Sequence, residues 1–296
     1  MQRVNGSMKR WLLNLSLALF IVALALLVKY QPGVRETQEG PPLTNLAADR
    51  IERIRIARVG QPEIILAKNA QDWRLIAPLQ ARADRFRIDA LLHLAGARTE
   101  GSFPLPSGDL AKYGLDKPTA KIWLDNAEIA FGGAHSFNDL QYVSYNGQIH
   151  LISNASLRSI PTELTGFFSS RLLEEKYKLV GLKLPKLSLT LKDGNWKVEP
   201  ENKALSSDRI NSFVDEWRYA RALNVQQYRG KPVISHMRIS FLEEQPSATT
   251  TGQAPKNLDV GILAYKPELV LYRKDEALEY HFPQEAGERL LNLAPE

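Results

Sequence analysis

The chain has 296 residues, 44% apolar and 24% charged, with a net charge of +5; that suffices for one large or two ordinary domains and is a globular composition. Four positive charges, Arg3, Lys9, Arg10 and Lys29, lie in the first thirty residues, which hold no acidic residue, so the rest carries only +1 and lacks a nucleic-acid-binding footprint. No cysteine is present, which excludes disulfides, cysteine-ligated zinc, iron–sulfur clusters and thiol catalysis.

Residues 1–10 read as a basic leading segment and residues 11–30 as a transmembrane anchor. "WLLNLSLALFIVALALLV", Trp11 to Val28, has no charge over 18 residues, and a helix of that length spans roughly 27 Å, near the bilayer core. Trp11 and Tyr30 stand where interfacial aromatics belong. A cleaved signal peptide is the competing reading, but "VKYQPGVRE" has no small-x-small pair for a signal peptidase. Arg3, Lys9 and Arg10 precede the span, so the positive-inside rule places the N-terminus in the cytoplasm. The C-terminal part is then expected outside the cytoplasmic membrane, in the periplasm of a bacterium of the two-membrane type. Residues 31–48, opening "QPGVRETQEGPPLTN", read as an extended linker.

After the linker the chain repeats itself. "WRLIAPLQARADRFRIDALL" from Trp73 and "WKVEPENKALSSDRINSFV" from Trp196 share Trp, alternation, Pro, a polar gap, Asp-Arg and a helical pattern. In the first copy "RIERIRIARV", "EIILAK" and "DWRLIAP" read as strands. Asp84 caps a helix carrying Ile88, Leu91, Leu92 and Ala95 on one face. In the second, "YKLVGLKL" and "LSLTLKDGNWKVEP" are strands around an Asp193-Gly194 turn. Ser206-Ser207 then cap a helix with Ile210, Phe213, Val214 and Trp217. "YGLDKPTAKIWL" from Tyr113 is echoed by "YRGKPVISHMRISF" from Tyr228. The units are residues 49–165 and 176–296, joined by a junction at 166–175, a period that signals domain duplication and not a short-period solenoid. The "LLEEKYK" cluster, Leu172 to Lys178, reads as solvated. Residues 243–257, polar and Pro/Thr/Ala-rich, read as a mobile hairpin loop. The expected class is α+β: an N-terminal transmembrane helix, then two tandem modules of antiparallel sheet with packed helices. Trp73 and Trp196 are expected in the module cores.

"W-x-L-x-x-P…AD…I…LL", "YGLDKP", "IAFGG…YVSYNGQIHLI" and "SRLLEEKYKLVGLKL" together resemble the domain-of-unknown-function family 4340 over nearly everything after the linker. The resemblance implies a membrane-anchored extracytoplasmic protein, in a family often encoded beside ABC-transporter components. It carries over no catalytic residue. The second copy departs from the pattern, with "YRGKP" where "YGLDKP" is expected.

Chemistry is sparse. His93, His135, His150, His236 and His281 form no metal-ligand spacing, and there is no nucleophile elbow, phosphate loop or dinucleotide fingerprint. No metal and no cofactor is expected. One connection, "FGGAHSFNDLQY", gathers Gly132, Gly133, His135, Ser136, Asn138 and Asp139. It reads either as a turn or bulge, for which Gly, Asn and Asp are ordinary, or as a ligand loop. The function expected is a non-enzymatic accessory or scaffold protein, partnering the membrane and an ABC-type transporter or other envelope assembly. The alternative is a lipid- or glycan-binding protein with a cleft between the modules. A third reading is an envelope hydrolase using the His135–Asp139 loop.

Overall fold

The computed structural model describes residues 5–30, 40–70, 72–106, 108–136, 138–243 and 254–294, with no side-chain placement at 5–10 and 27–30. It divides into two units, Met1–Gly40 and Pro41–Glu296. The first contains helix α1 (Asn5–Tyr30). Its described side chains, Trp11 to Leu26, are all exposed. Among the described residues no helix is long and apolar enough to cross a membrane, which corrects the transmembrane helix expected at 11–30 and concerns helices alone. Part of the leading segment 1–10, residues 31–39 of the linker and residues 244–253 of the expected hairpin loop lie outside the described residues. The linker's last residues belong to the second unit. Pro42 bridges Arg98, Leu43 is buried, and Thr44 donates from Oγ1 to the Ala95 carbonyl at 2.8 Å.

The second unit opens with β1 (Arg53–Arg58), β2 (Ile64–Asn69), β3 (Asp72–Ala77), the two-residue β4 (Ala81–Arg82) and helix α2 (Arg85–His93). It continues with β5 (Thr99–Pro104), β6 (Ala120–Leu124), β7 (Ala127–Ala134), β8 (Leu140–Tyr145), β9 (Gln148–Ser153) and α3 (Ala155–Arg158). Then come β10 (Tyr177–Lys183), β11 (Ser188–Lys192), β12 (Asn195–Glu199), α4 (Ser207–Arg218) and β13 (Asn224–Gln227). The last elements are β14 (Ser235–Glu243), β15 (Lys256–Ala264), β16 (Leu269–Arg273), β17 (Leu278–Phe282) and α5 (Gln284–Leu291).

Two antiparallel sheets result. The first has the order β4-β3-β2-β1-β6-β7-β8-β9-β5, the second β12-β11-β10-β14-β15-β16-β17-β13. Matching β1 to β10, β2 to β11, β3 to β12 and β5–β9 to β13–β17 makes the orders identical, except that β4 has no counterpart. The sequence dictates these strands by alternation: in β1, Ile54 and Ile56 are buried while Arg53 and Arg55 face outward. Asp193 and Gly194 both take positive φ, 50° and 81°, the two-residue turn that suits a tight hairpin.

The α+β expectation is corrected to a protein of mostly antiparallel sheet, with 41% strand and 24% helix among the described residues. The helical pattern from Asp84 sustains only nine residues of α-helix, and the tail after β9 only four. Both main helices are capped as their sequences suggest. Asp84 accepts from the Arg87 N–H at 3.2 Å and Ser206 from the Arg209 N–H at 3.1 Å. Ile88 and Leu91 of α2 are buried, as are Phe213, Val214 and Trp217 of α4. Trp73 and Trp196 sit half-buried at the margin of the core instead of within it. The apolar side chains of both sheets form one continuous cluster, which runs through Phe167, Phe168, Leu172 and Leu173 of the junction.

The junction is thus not the solvated connection its charges suggest. Leu172 and Leu173 are buried, and the main chain is held from both sides. Ser169 N–H donates to the Arg82 carbonyl at 2.9 Å, Leu172 N–H to Ala220 at 3.0 Å and Ala222 N–H to Ser170 at 2.8 Å. Through these bonds the segment joins the β4 side of the first sheet to the chain entering β13 of the second.

At the same place lies a buried ionic network. Arg82, from β4, donates from Nε to Glu276 Oε1 at 2.6 Å, and from Nη2 to Tyr280 Oη at 2.9 Å and to the Arg171 carbonyl at 2.7 Å. Tyr280 donates onward to Glu276 Oε2 at 2.5 Å, and Arg273 Nη1 donates to the Leu172 carbonyl at 2.7 Å. Arg82, Arg273, Glu276 and Tyr280 are 7%, 3%, 4% and 0% exposed. Burial by itself would raise the Glu276 carboxyl. Attraction to Arg82 and Arg273, with hydrogen bonds from Arg82 and Tyr280, outweighs it and holds the pKa down to about 2.

Two outcomes are expected. Arg82→Ala leaves Glu276 buried beside an unfilled partner and lowers unfolding free energy by about 3–5 kcal/mol, read from denaturant midpoints; Arg82→Met with Glu276→Leu recovers part of that loss, because neither charge is then buried alone. Because the folded Glu276 pKa lies below its ordinary 4.5, its stabilising share is complete above that value and is lost as pH falls toward about 2. The midpoint of Glu276→Gln therefore drops less than wild type across that acid range.

Candidate functional site

Gly132 and Gly133 lie within the end of β7, not in the connection after it, and owe their places to close packing. A 3-10 turn, Leu110–Tyr113, followed by Gly114, straps the face of the first sheet there. A Cβ on Gly132 would stand 2.2 Å from the Tyr113 carbonyl oxygen, and one on Gly114 would stand 2.7 Å from the Gly133 nitrogen. The "YGLDKP" and "FGG" motifs therefore require each other: main chain passes main chain where no side chain fits. Gln141 Nε2 donates to the Gly132 carbonyl at 2.9 Å, fixing the bulge in β7.

The other loop residues divide. The His135 ring lies 5.6 Å from Tyr142, which meets Tyr113 edge-on at 5.1 Å; Phe103 continues the row at 5.4 Å from Tyr113. Asp139 points elsewhere. It accepts from Arg158 Nη2 at 2.6 Å and from Asn154 Nδ2 at 3.2 Å, tying the loop to both ends of α3. Ser136 and Asn138 are exposed. The structure thus brings Gly132, Gly133 and His135 to the tyrosine strap and turns Asp139 away to an ion pair. Among the described residues, no group of three or more His, Asp or Glu side chains is placed to hold a metal ion.

The second sheet carries an equivalent strap despite its different sequence. Tyr228 stacks on Tyr272 at 3.9 Å, and Val233 closes on Gly261, where a Cβ would meet it at 3.0 Å. Glu279 fastens this strap, accepting from Arg229 N–H at 3.2 Å and Lys231 Nζ at 3.1 Å. His281, on the same strand, meets Glu268 through Nδ1 at 3.1 Å. His150 is buried, and burial holds its pKa below the usual histidine range; His93 and His236 are exposed.

The feature that sequence reasoning missed is an edge. In the first sheet β3 is covered by β4: Leu75 pairs with Ala81, Arg74 with Arg82, and the Trp73 carbonyl accepts from Ala83 N–H at 3.1 Å. In the second, β12 ends the sheet. Past Pro200 the chain turns back on Asn202, which accepts from Ala204 N–H through Oδ1 at 3.1 Å and from Leu205 N–H through its carbonyl at 3.2 Å. A groove of about 520 Å³ is left beside β12, lined by Trp196, Val198 and Ile210 with Lys197, Glu199 and Glu201. Lys192 and Asn195 flank a two-residue turn and bond to each other, so along β12 it is Trp196 and Val198 whose N–H and C=O point to the open side. The only hint in the sequence was the polar gap after each Trp…Pro, "LQARAD" against "ENKALSS".

The family model described as Domain of unknown function (DUF4340) matches residues 73–257. No curated protein and no solved structure matches the chain. Gly132→Ala should cost roughly 1–3 kcal/mol in the denaturation midpoint, whereas Gly96→Ala, whose new methyl meets nothing within 4 Å, should stay within about 0.5 kcal/mol of wild type. With its model matched over residues 73–257, more than half of the sequence, the chain belongs to the DUF4340 family.

Proposed function

We propose that the protein is a non-enzymatic accessory or scaffold protein of a cell-envelope assembly, an ABC-type transporter being the leading partner class, with its two-sheet unit on the periplasmic side of the cytoplasmic membrane. The observation that carries this reading is the joining of two large sheets into one continuous core with an open strand edge at β12. Such an edge offers main-chain donors and acceptors to a partner. The exposed apolar side chains from Trp11 to Leu26 add a second surface suited to apolar contact. A lipid or glycan cleft between the modules is disfavoured, because Arg82, Glu276, Tyr280 and the junction fill that space. A hydrolase using the His135–Asp139 loop is disfavoured because Asp139 is engaged by Arg158 and Asn154.

Crosslinking in intact cells, followed by purification of the full-length protein and mass spectrometry, tests this reading. Transporter subunits should be recovered in stoichiometric amount. Recovery of the protein alone with bound lipid or glycan would reject the scaffold role.

A further inference from the structure

We propose that β12 is a strand-addition site for an extended segment of a partner protein, running antiparallel to Asn195–Glu199. The segment carries an aliphatic residue opposite Val198 and a cationic residue just before it, opposite Glu199. This rests on the scaffold reading and specifies its contact.

Three observations lead there. The first is the internal comparison. The two sheets share one strand order, and in the first the matching edge is occupied by an extended antiparallel segment, β4. Ala81, opposite Leu75, is completely buried by that pairing. The fold therefore accommodates a strand at this position, and in the second copy the Asn202 turn withdraws the chain that would supply it. The second is shape. Trp196, Val198 and Ile210 line the groove between β12 and α4, so a side chain opposite Val198 enters an apolar slot while main-chain groups pair with Trp196 and Val198. The third is charge. Glu199 and Glu201 face a single lysine in the lining, Lys197. Lys197 pairs with Glu199 at 3.0 Å with both side chains more than half exposed, an ion pair that an incoming cation can share or replace. In antiparallel register, residues on either side of the one opposite Val198 face Glu199 and Lys197, so a cation preceding the aliphatic residue meets Glu199.

The edge of β12 is short and followed by Pro200, which limits pairing to a few residues and guards against indiscriminate sheet extension. The partner segment is accordingly brief, and its affinity is modest without additional contacts from the assembly.

The test uses the full-length chain labelled with ¹⁵N at valine and tryptophan, titrated with the blocked peptide Thr-Arg-Val-Thr-Val and followed by NMR. Saturable shifts are expected at the Trp196 and Val198 amides. N-methylation of the peptide's central valine should weaken binding at least about tenfold, because that valine exchanges both main-chain hydrogen bonds with Val198. Replacing the peptide arginine with glutamate should weaken it severalfold, and Glu199→Lys, whose spectrum reports its own folding, should reverse that preference. The proposal is overturned by absence of saturable shifts, by equal binding of the N-methylated peptide, or by concentration-dependent pairing of β12 with a second copy of the chain. If Glu199→Lys recovers transporter subunits as efficiently as wild type in the crosslinking experiment, the edge proposal fails and the scaffold reading stands; if wild type recovers none, the scaffold reading itself fails.

Discussion

The fold closes on one buried interaction, the bidentate grip of Arg82 on Glu276. Arg82 comes from a two-residue strand at the edge of the first sheet, Glu276 from the turn before the last strand of the second. Two charges removed from water are costly unless nearly all their hydrogen-bonding capacity is used. Here Tyr280 and the Arg171 and Leu172 carbonyls supply the remaining partners. The network is therefore tolerable only when both sheets and the junction are in place together. That makes it a device for specifying their arrangement, while the apolar cluster from Leu43 to Leu290 supplies most of the driving force.

β4 connects this lock to the divergence of the two copies. In the first copy the segment after the Trp…Pro motif lies along β3, shields that edge and delivers Arg82 to the second sheet. In the second copy the corresponding segment folds back on Asn202, and β12 stays open. One duplicated design thus yields an inward-facing edge that holds the molecule together and an outward-facing edge available to others. The tyrosine straps diverge less in place than in sequence. "YGLDKP" and "YRGKP" both set a tyrosine against a second tyrosine and cover a glycine in the neighbouring strand.

The legible part of this fold was local. Alternation at Ile54 and Ile56, the Asp193-Gly194 turn and the caps at Asp84 and Ser206 follow from side-chain periodicity and short-range hydrogen bonding. What escaped depends on contacts between distant residues. Arg82 and Glu276 are 194 positions apart, and neither has a neighbour that marks it for burial. The charges of "LLEEKYK" concealed Leu172 and Leu173 at its start. The apolar run at the N-terminus reads as a membrane span from composition, yet among the described residues no helix is long and apolar enough to be one. The loop from Gly132 to Asp139 looked like one chemical unit because its residues are adjacent in sequence. In space, glycine packing and the Arg158 ion pair pull its two ends to different tasks.

The central claim is that the two sheets form one rigid body. Because the chain has no cysteine, single cysteines at Asn126, in a turn of the first sheet, and Lys186, beside the second, can carry a pair of spin labels without further substitution. Electron–electron distance measurement between them should give one narrow distribution, and the same distribution should persist in moderate denaturant until global unfolding. A broad or multiple distribution under native conditions would show that the modules move independently and would contradict the account.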